Sequence, residues 1–116
     1  MPASTSGIYL TSDLFPRLGI TNKLDIRITP RGAQSAALVA AGDAGIAVQP
    51  TSELVRAPGL DYLGPIPGEL QLIQTFSAAV VLGSKELEAS RRLIEFLASG
   101  RAAAAIRSNG MEPAQA

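Results

Sequence analysis

A run of thirteen residues without a charged side chain, LQLIQTFSAAVVL from Leu70 to Leu82, is the feature that most constrains the fold of this chain. Its residues favour extended backbone, and at ~3.3 Å per residue the run would span ~43 Å, about twice the length of an ordinary strand. One small sheet cannot pair a strand of that length throughout. The run therefore predicts two strand segments with a bend near Ser77.

Shorter strands and several helices are predicted around this run. Leu24, Ile26 and Ile28 alternate with charged residues, which is typical of a half-buried strand, and the apolar stretch Ala44 to Val48 fits a strand covered on both faces. Helices are expected from Ser6 to Gly19 with an interruption at Pro16, from Ala33 to Ala41, over SELV at 52–55, from Ser84 to Gly100, and from Ser99 to Gly110. Strands that alternate with helices predict an α/β domain, with a mixed sheet flanked by helices.

The two C-terminal helices have clear end signals and an apolar stripe. Ser84 is expected to cap the first of them and Gly100 to stop it, and the sequence Asn109-Gly110 is expected to supply the left-handed residues that end the second. The stripe predicted as the buried face of the first helix consists of Leu87, Leu93, Ile94 and Leu97.

Composition excludes several classes of function. The chain of 116 residues is 47% hydrophobic and 17% charged, and its ten basic residues balance its ten acidic ones, so it has no field that would attract nucleic acid. It contains no Cys and no His, which excludes disulfides and Cys/His zinc sites. The start MPASTSG lacks the features of a signal peptide, and no apolar stretch is long enough to insert into a membrane. We expect a cytoplasmic protein as the sequence stands, or a periplasmic one if a leader was removed.

No catalytic pattern is visible. The Ser, Thr, Asp and Glu residues show neither a nucleophile elbow nor a paired-carboxylate site, and no His can serve as the general base. The GDAG sequence lacks the spacing and the Lys of a phosphate-binding loop. The sequence therefore predicts that the protein is not an enzyme and uses no cofactor or metal.

Three blocks together resemble the molybdate-type periplasmic solute-binding proteins of ABC transporters, a branch of the type 2 periplasmic-binding fold. They are SGIYLTSDLFPRLGI, RGAQSAALVAAGDAGIAVQPTSEL, and the C-terminal stretch from PGLDYLGPIPGEL to NGMEPA. The resemblance implies a single partial domain over residues 1–116. In it, a second lobe covers about 1–68, and a crossing strand with C-terminal helices covers about 69–116. These helices would be separated from the first lobe on which the family packs them.

The resemblance also implies a ligand site. Oxyanion binding in this family resembles anion binding at helix N-termini, and the matching positions are Thr5, Ser6 and Gly7 together with Arg31 and Gly32. Gln49 resembles a Gln that follows the buried strand in some members, while Val48 stands where molybdate binders carry a Tyr. Purely local roles remain open, with Ser6 as a helix cap, Gly32 as a turn residue and Arg31 as a solvated side chain.

The leading functional hypothesis is a protein that binds a small solute, such as the oxyanion molybdate, for an ABC transporter, or a truncated remnant of such a protein. The alternatives are an effector-sensing domain similar to that of LysR-type regulators and a structural oligomerisation module. Because the apolar stripe of the C-terminal helices has lost its family partner, we expect a homodimer, with domain swapping as one route to it.

Overall fold

The computed structural model describes residues 4–114, and the chain divides into two compact units, Met1–Leu72 and Ile73–Ala116. All regular secondary structure among the described residues is helical. The predicted α/β class with a mixed sheet is therefore wrong. The proposed division into a second lobe and a crossing segment stays a prediction.

The segments predicted as strands are not helical, but they have no strand partner. Leu24 (φ −115°, ψ 137°) and Gln71 (φ −71°, ψ 143°) have extended backbone, yet no ladder forms at 25–30, 44–48 or 71–81 within the described part of the chain. An alternating pattern places side chains on opposite sides of an extended backbone, whereas a strand also needs a second chain segment beside it. The pattern carries no information about that second segment.

The first helical stretch changes type before a proline. Helix α1 (Thr5–Tyr9) continues into a π-helical turn (Leu10–Leu14), which is followed by α2 (Phe15–Arg17). Pro16 has no N–H to donate to the preceding turn, and the neighbouring N–H of Phe15 bonds to the carbonyl of Leu10 instead. The predicted interruption at Pro16 is confirmed.

The remaining helices of the first unit are short. They are the 3₁₀ turn Thr21–Lys23, helix α3 (Ser35–Ala40), helix α4 (Thr51–Leu54) and the 3₁₀ turn Gly68–Leu70. Helix α3 ends in a Schellman motif, because Gly42 has a φ of +83° and the N–H of Asp43 reaches the carbonyl of Leu38 at 2.8 Å. The predicted stop at Gly42 is confirmed, although α3 begins two residues later than expected.

The buried residues of the first unit form a small core. Leu10, Leu14 and Ala36 are 8%, 2% and 5% exposed, while Ile46 is 73% and Leu63 86% exposed. Burial of apolar surface is the main stabilising contribution to a fold. Because few large apolar side chains are buried here, this contribution is small in the first unit.

The second unit contains two helices joined at a single residue. Helix α5 (Leu87–Ala98) ends at Ser99, and α6 (Gly100–Ser108) begins immediately after it. The residue before α5 is Glu86 rather than Ser84, although the hydroxyl of Ser84 accepts a hydrogen bond from the N–H of Glu86 at 3.1 Å. The predicted cap is therefore displaced by two positions.

The end of α6 is a second Schellman motif. Gly110 has a φ of +80°, its N–H reaches the carbonyl of Arg107 at 3.0 Å, and the N–H of Met111 reaches that of Ile106 at 3.2 Å. Asn109 has a φ of −99°, so only the second residue of the predicted Asn-Gly pair is left-handed.

Most of the apolar residues of the second unit are exposed. Ala102 is buried and Ile94 is half-buried, but the other members of the predicted buried face of α5 are 46–58% exposed, namely Leu87, Leu93 and Leu97. The prediction that this face is buried is therefore wrong for the chain by itself. Helix α6 has mainly Ala side chains, which are too short to cover the large side chains of α5. Within the part of the chain that the structure describes, no helix is long and apolar enough to cross a membrane.

Candidate functional site

The start of α1 is capped by a residue upstream of the predicted cap. The hydroxyl of Ser4 accepts a hydrogen bond from the N–H of Gly7 at 3.0 Å, so Thr5, Ser6 and Gly7 form the first turn of the helix. The interpretation of Ser6 as the N-cap is wrong. Because the Ser4 hydroxyl already binds the N–H of Gly7, an anion would have to displace that hydroxyl to use this donor.

Arg31 and Gly32 form the centre of a type II turn. The N–H of Ala33 donates to the carbonyl of Pro30 at 3.0 Å, and Gly32 has a φ of +84°, which this turn requires at its third residue. Arg31 is exposed on the turn. Helix α3 begins only at Ser35, so these two residues precede the helix and do not supply its first N–H groups, in contrast to the sequence-based expectation.

Gln49 lies against the start of α3 and makes three hydrogen bonds. Its Oε1 accepts from the backbone N–H of Ala36 at 2.9 Å, and its Nε2 donates to Gln34 Oε1 at 3.3 Å and to Glu53 Oε2 at 2.8 Å. The orientation of the amide follows from this arrangement, since a backbone N–H must face an acceptor and a carboxylate must face a donor. Gln49 therefore caps α3 from thirteen residues away and holds a carboxylate beside it.

Two hydroxyl side chains lie beside these polar residues at the same end of α3. Thr29 Oγ1 and Ser35 Oγ lie 2.9 Å apart and share a hydrogen bond. We call the five side chains around this helix end the α3-start cluster. It consists of Thr29, Gln34, Ser35, Gln49 and Glu53.

The structure places only part of the predicted site in this cluster. Gln49 belongs to it, whereas the hydrogen bonds recorded for Gly7 stay within its own helical stretch, through Ser4 and Thr11. Four members of the cluster were not predicted from the sequence. One signal in the sequence could have identified Glu53 as a neighbour of Gln49. The two residues are four apart across the start of α4, a spacing at which side chains can contact each other.

A separate cleft of about 240 Å³ lies elsewhere in the first unit. Its lining includes Val39, Ile46, Leu54 and Leu60 with the acidic Asp61, and it contains none of the predicted site residues. No Lys or Arg is among the residues that line this cleft, so the cleft offers an anionic ligand no counter-charge. Among residues 4–114, no group of three potential metal ligands lies together.

Comparison with known proteins places the chain in a protein family. Residues 1–112 match the family model described as bacterial extracellular solute-binding protein. A relative from Pseudomonas sp. named aconitate isomerase is 39% identical over 114 residues, which is 97% of this chain and 44% of that protein. The chain thus spans less than half the length of this relative. No solved structure matches.

The name of this relative overturns the prediction that the protein is not an enzyme. The prediction rested on the absence of His, Cys and familiar catalytic motifs. A carboxylate can accept a proton and return it, so general acid–base chemistry does not require His or Cys. A single carboxylate in a chain has no distinctive spacing, so no sequence motif identifies it.

Proposed function

The chain belongs to the family of bacterial extracellular solute-binding proteins, and we propose that it forms part of a site that binds and isomerises a tricarboxylic acid of the aconitate type. The observation that carries the proposal is the 39% identity to the aconitate isomerase over 97% of this chain. Binding of a small solute follows from the family itself.

The side chains near α3 support a carboxylate ligand. Arg31 can bind a carboxylate with two parallel hydrogen bonds, and the hydroxyl pair of Thr29 and Ser35 can donate to another. We propose that the acid is contacted by the residues singled out from the sequence, which are Thr5, Ser6, Gly7, Arg31, Gly32 and Gln49.

An inorganic oxyanion such as molybdate is the second candidate ligand. Its recognition would rely on free N–H groups at helix starts, but Ser4 Oγ and Gln49 Oε1 accept from such groups in α1 and α3. Each would have to move before an oxyanion could bind. We favour an organic acid, because the relative that is 39% identical over 97% of this chain is named for one.

Solute delivery to an ABC transporter is the second candidate function, and the family description favours it. Family membership also supports a location outside the cytoplasm, and we propose the periplasm. The two functions differ in outcome, since a delivery protein returns its solute unchanged and an isomerase does not.

The test is calorimetric titration of the full chain with cis-aconitate, trans-aconitate and molybdate, followed by proton NMR of each aconitate after incubation. We expect heat with aconitate, conversion between its isomers, and no heat with molybdate. Heat with aconitate but an unchanged spectrum would favour delivery, and heat with molybdate alone would reject the proposal.

A variant of Arg31 tests whether this residue contacts the ligand. Arg31→Ala should weaken aconitate binding by about tenfold or more, because an Arg–carboxylate hydrogen bond contributes about 1.5–3 kcal/mol. Arg27→Ala is the matched control, since Arg27 is exposed and lies 3.8 Å from Asp25. Equal affinity of the two variants would remove Arg31 from the site.

We also propose a homodimer, with domain swapping of the C-terminal segment as one route to it. The exposure of Phe76 (72%) and Leu82 (100%) supports this, because a second copy of the same uncharged segment can cover them without opposing like charges.

A further inference from the structure

The hydrogen bonds of Gln49 place one carboxylate at a defined position. Ala36 N–H donates to Gln49 Oε1 at 2.9 Å, and Gln49 Nε2 donates to Glu53 Oε2 at 2.8 Å. The backbone of α3 therefore determines the orientation of the amide, and the amide determines the position of one oxygen of Glu53. A charge-assisted hydrogen bond of this kind is stronger than a neutral one.

Three of the other carboxylates of the first unit have different surroundings. Asp13 lies 3.4 Å from Arg17 and Asp25 lies 3.8 Å from Arg27, so each faces a cation, and Asp61 lines the apolar cleft. Glu53 is exposed and is hydrogen-bonded to a neutral amide that was itself singled out as a ligand contact. It combines access for a solute with a fixed position.

We propose that Glu53 transfers the proton in the isomerisation and that Gln49 is its positioning residue, an inference that rests on the proposed function. Aconitate has a CH₂ group next to its C=C bond. Glu53 takes a proton from this CH₂ carbon, and the electron pair of the broken C–H bond forms a new C=C bond with the central carbon. The electrons of the former double bond take up a proton at the former vinylic carbon, and the protonated Glu53 supplies it.

This step is balanced, since one C–H bond breaks, one forms, and the double bond moves by one position. No carbon is oxidised or reduced overall, and Glu53 returns to its starting state. The geometry at the new double bond is chosen when it forms, which interconverts the cis and trans isomers. Positioned general acid–base catalysis contributes about 10²–10⁴-fold to a rate.

The experiment follows isomerisation of aconitate and incorporation of deuterium from D₂O into it by NMR, with the full chain. Glu53→Gln should reduce both kcat and the exchange rate by about 100-fold or more while KM changes little, because the amide cannot accept the proton. Glu53→Asp should recover part of the rate, since it keeps the carboxylate. Gln49→Ala should lower kcat less than Glu53→Gln does.

The matched control is Glu69→Gln, an exposed Glu of the same unit in the 3₁₀ turn Gly68–Leu70, which should retain the wild-type rate. Circular dichroism confirms that each variant folds. Exchange at the wild-type rate by Glu53→Gln overturns this inference and leaves the proposed function intact. A wild-type chain that binds aconitate but neither isomerises nor exchanges it overturns the inference and the isomerase function, and one that does not bind aconitate overturns both proposals.

Discussion

At the scale of single residues, Tyr9 links two separate segments of the first unit. Its hydroxyl donates to the carbonyl of Leu70 at 2.6 Å and accepts from Arg17 at 3.1 Å, and Arg17 also lies 3.4 Å from Asp13. The Arg17–Asp13 pair is more than half solvated on average and contributes little by itself. The half-buried bond to Leu70, sixty-one residues away, is the contact that holds the end of this unit to α1.

Replacing Tyr9 by Phe removes this link without changing the size of the ring. We expect the free energy of unfolding to fall by about 1 kcal/mol, because the half-buried hydrogen bond to the carbonyl of Leu70 is lost. Urea denaturation followed by circular dichroism measures the loss. Tyr62→Phe is the control, since Tyr62 is 41% exposed, and it should change stability by less than about 0.5 kcal/mol. Equal midpoints for the two variants would contradict this account.

At the scale of elements, the helices of this chain are delimited by local chemistry. Gly42 and Gly110 end α3 and α6 with left-handed backbone, and each is accompanied by the hydrogen bonds of a Schellman motif. Arg101 lies 5.3 Å from the ring centre of Phe96, which adds a cation–π contact across the junction of α5 and α6. The ends of helices are therefore well defined, even where their apolar faces are not buried.

Gly110→Ala tests the left-handed end of α6. We expect a loss of about 1 kcal/mol, because a Cβ is strained at a φ of +80°. Thermal unfolding of the full chain measures it.

Gly100→Ala is the paired variant, since its Cβ would meet nothing within 4 Å and it begins α6. It should leave stability unchanged or raise it by up to about 1 kcal/mol. A larger loss for this variant than for Gly110→Ala would mean that φ at residue 110 is not the controlling factor.

At the scale of the whole molecule, the main feature is the exposure of many large apolar side chains. Large side chains of both units are exposed, and in the second unit they follow one another closely along the chain, as at Ile73 (76%), Phe76 (72%) and Val81 (74%). Large apolar side chains that are exposed close together along a chain can form an interface. The uncharged run that contains these residues is the surface that we propose for dimerisation.

We therefore expect light scattering at tens of micromolar protein to give twice the chain mass of 12.0 kDa. The double variant Phe76→Asp/Leu82→Asp should be monomeric, because it places like charges opposite each other between the two copies. Ile46→Asp, which changes an exposed residue of the first unit, should remain dimeric. A mass of 12.0 kDa for the unaltered chain that persists as concentration rises rejects the dimer.

The candidate site was predictable only in part. Gln49 was singled out because it resembles a family residue, but its bond to the N–H of Ala36 joins positions thirteen residues apart, and no local pattern encodes that contact. Glu53 is at a helical spacing from Gln49, yet its role depends on where the amide points. The cap at Ser4 was missed because Ser4 and Ser6 are equally good caps, and the backbone selects between them.

The sequence by itself determined where helices are interrupted and where they stop, at Pro16, Gly42 and Gly110, because a missing N–H or a missing Cβ acts within about five residues. It also determined that residues 71–81 are not helical. Only the tertiary structure decided that these residues form no sheet and that the stripe of α5 is exposed. Pairing and burial require a second surface, and an amphipathic pattern states that such a surface is needed without stating where it is.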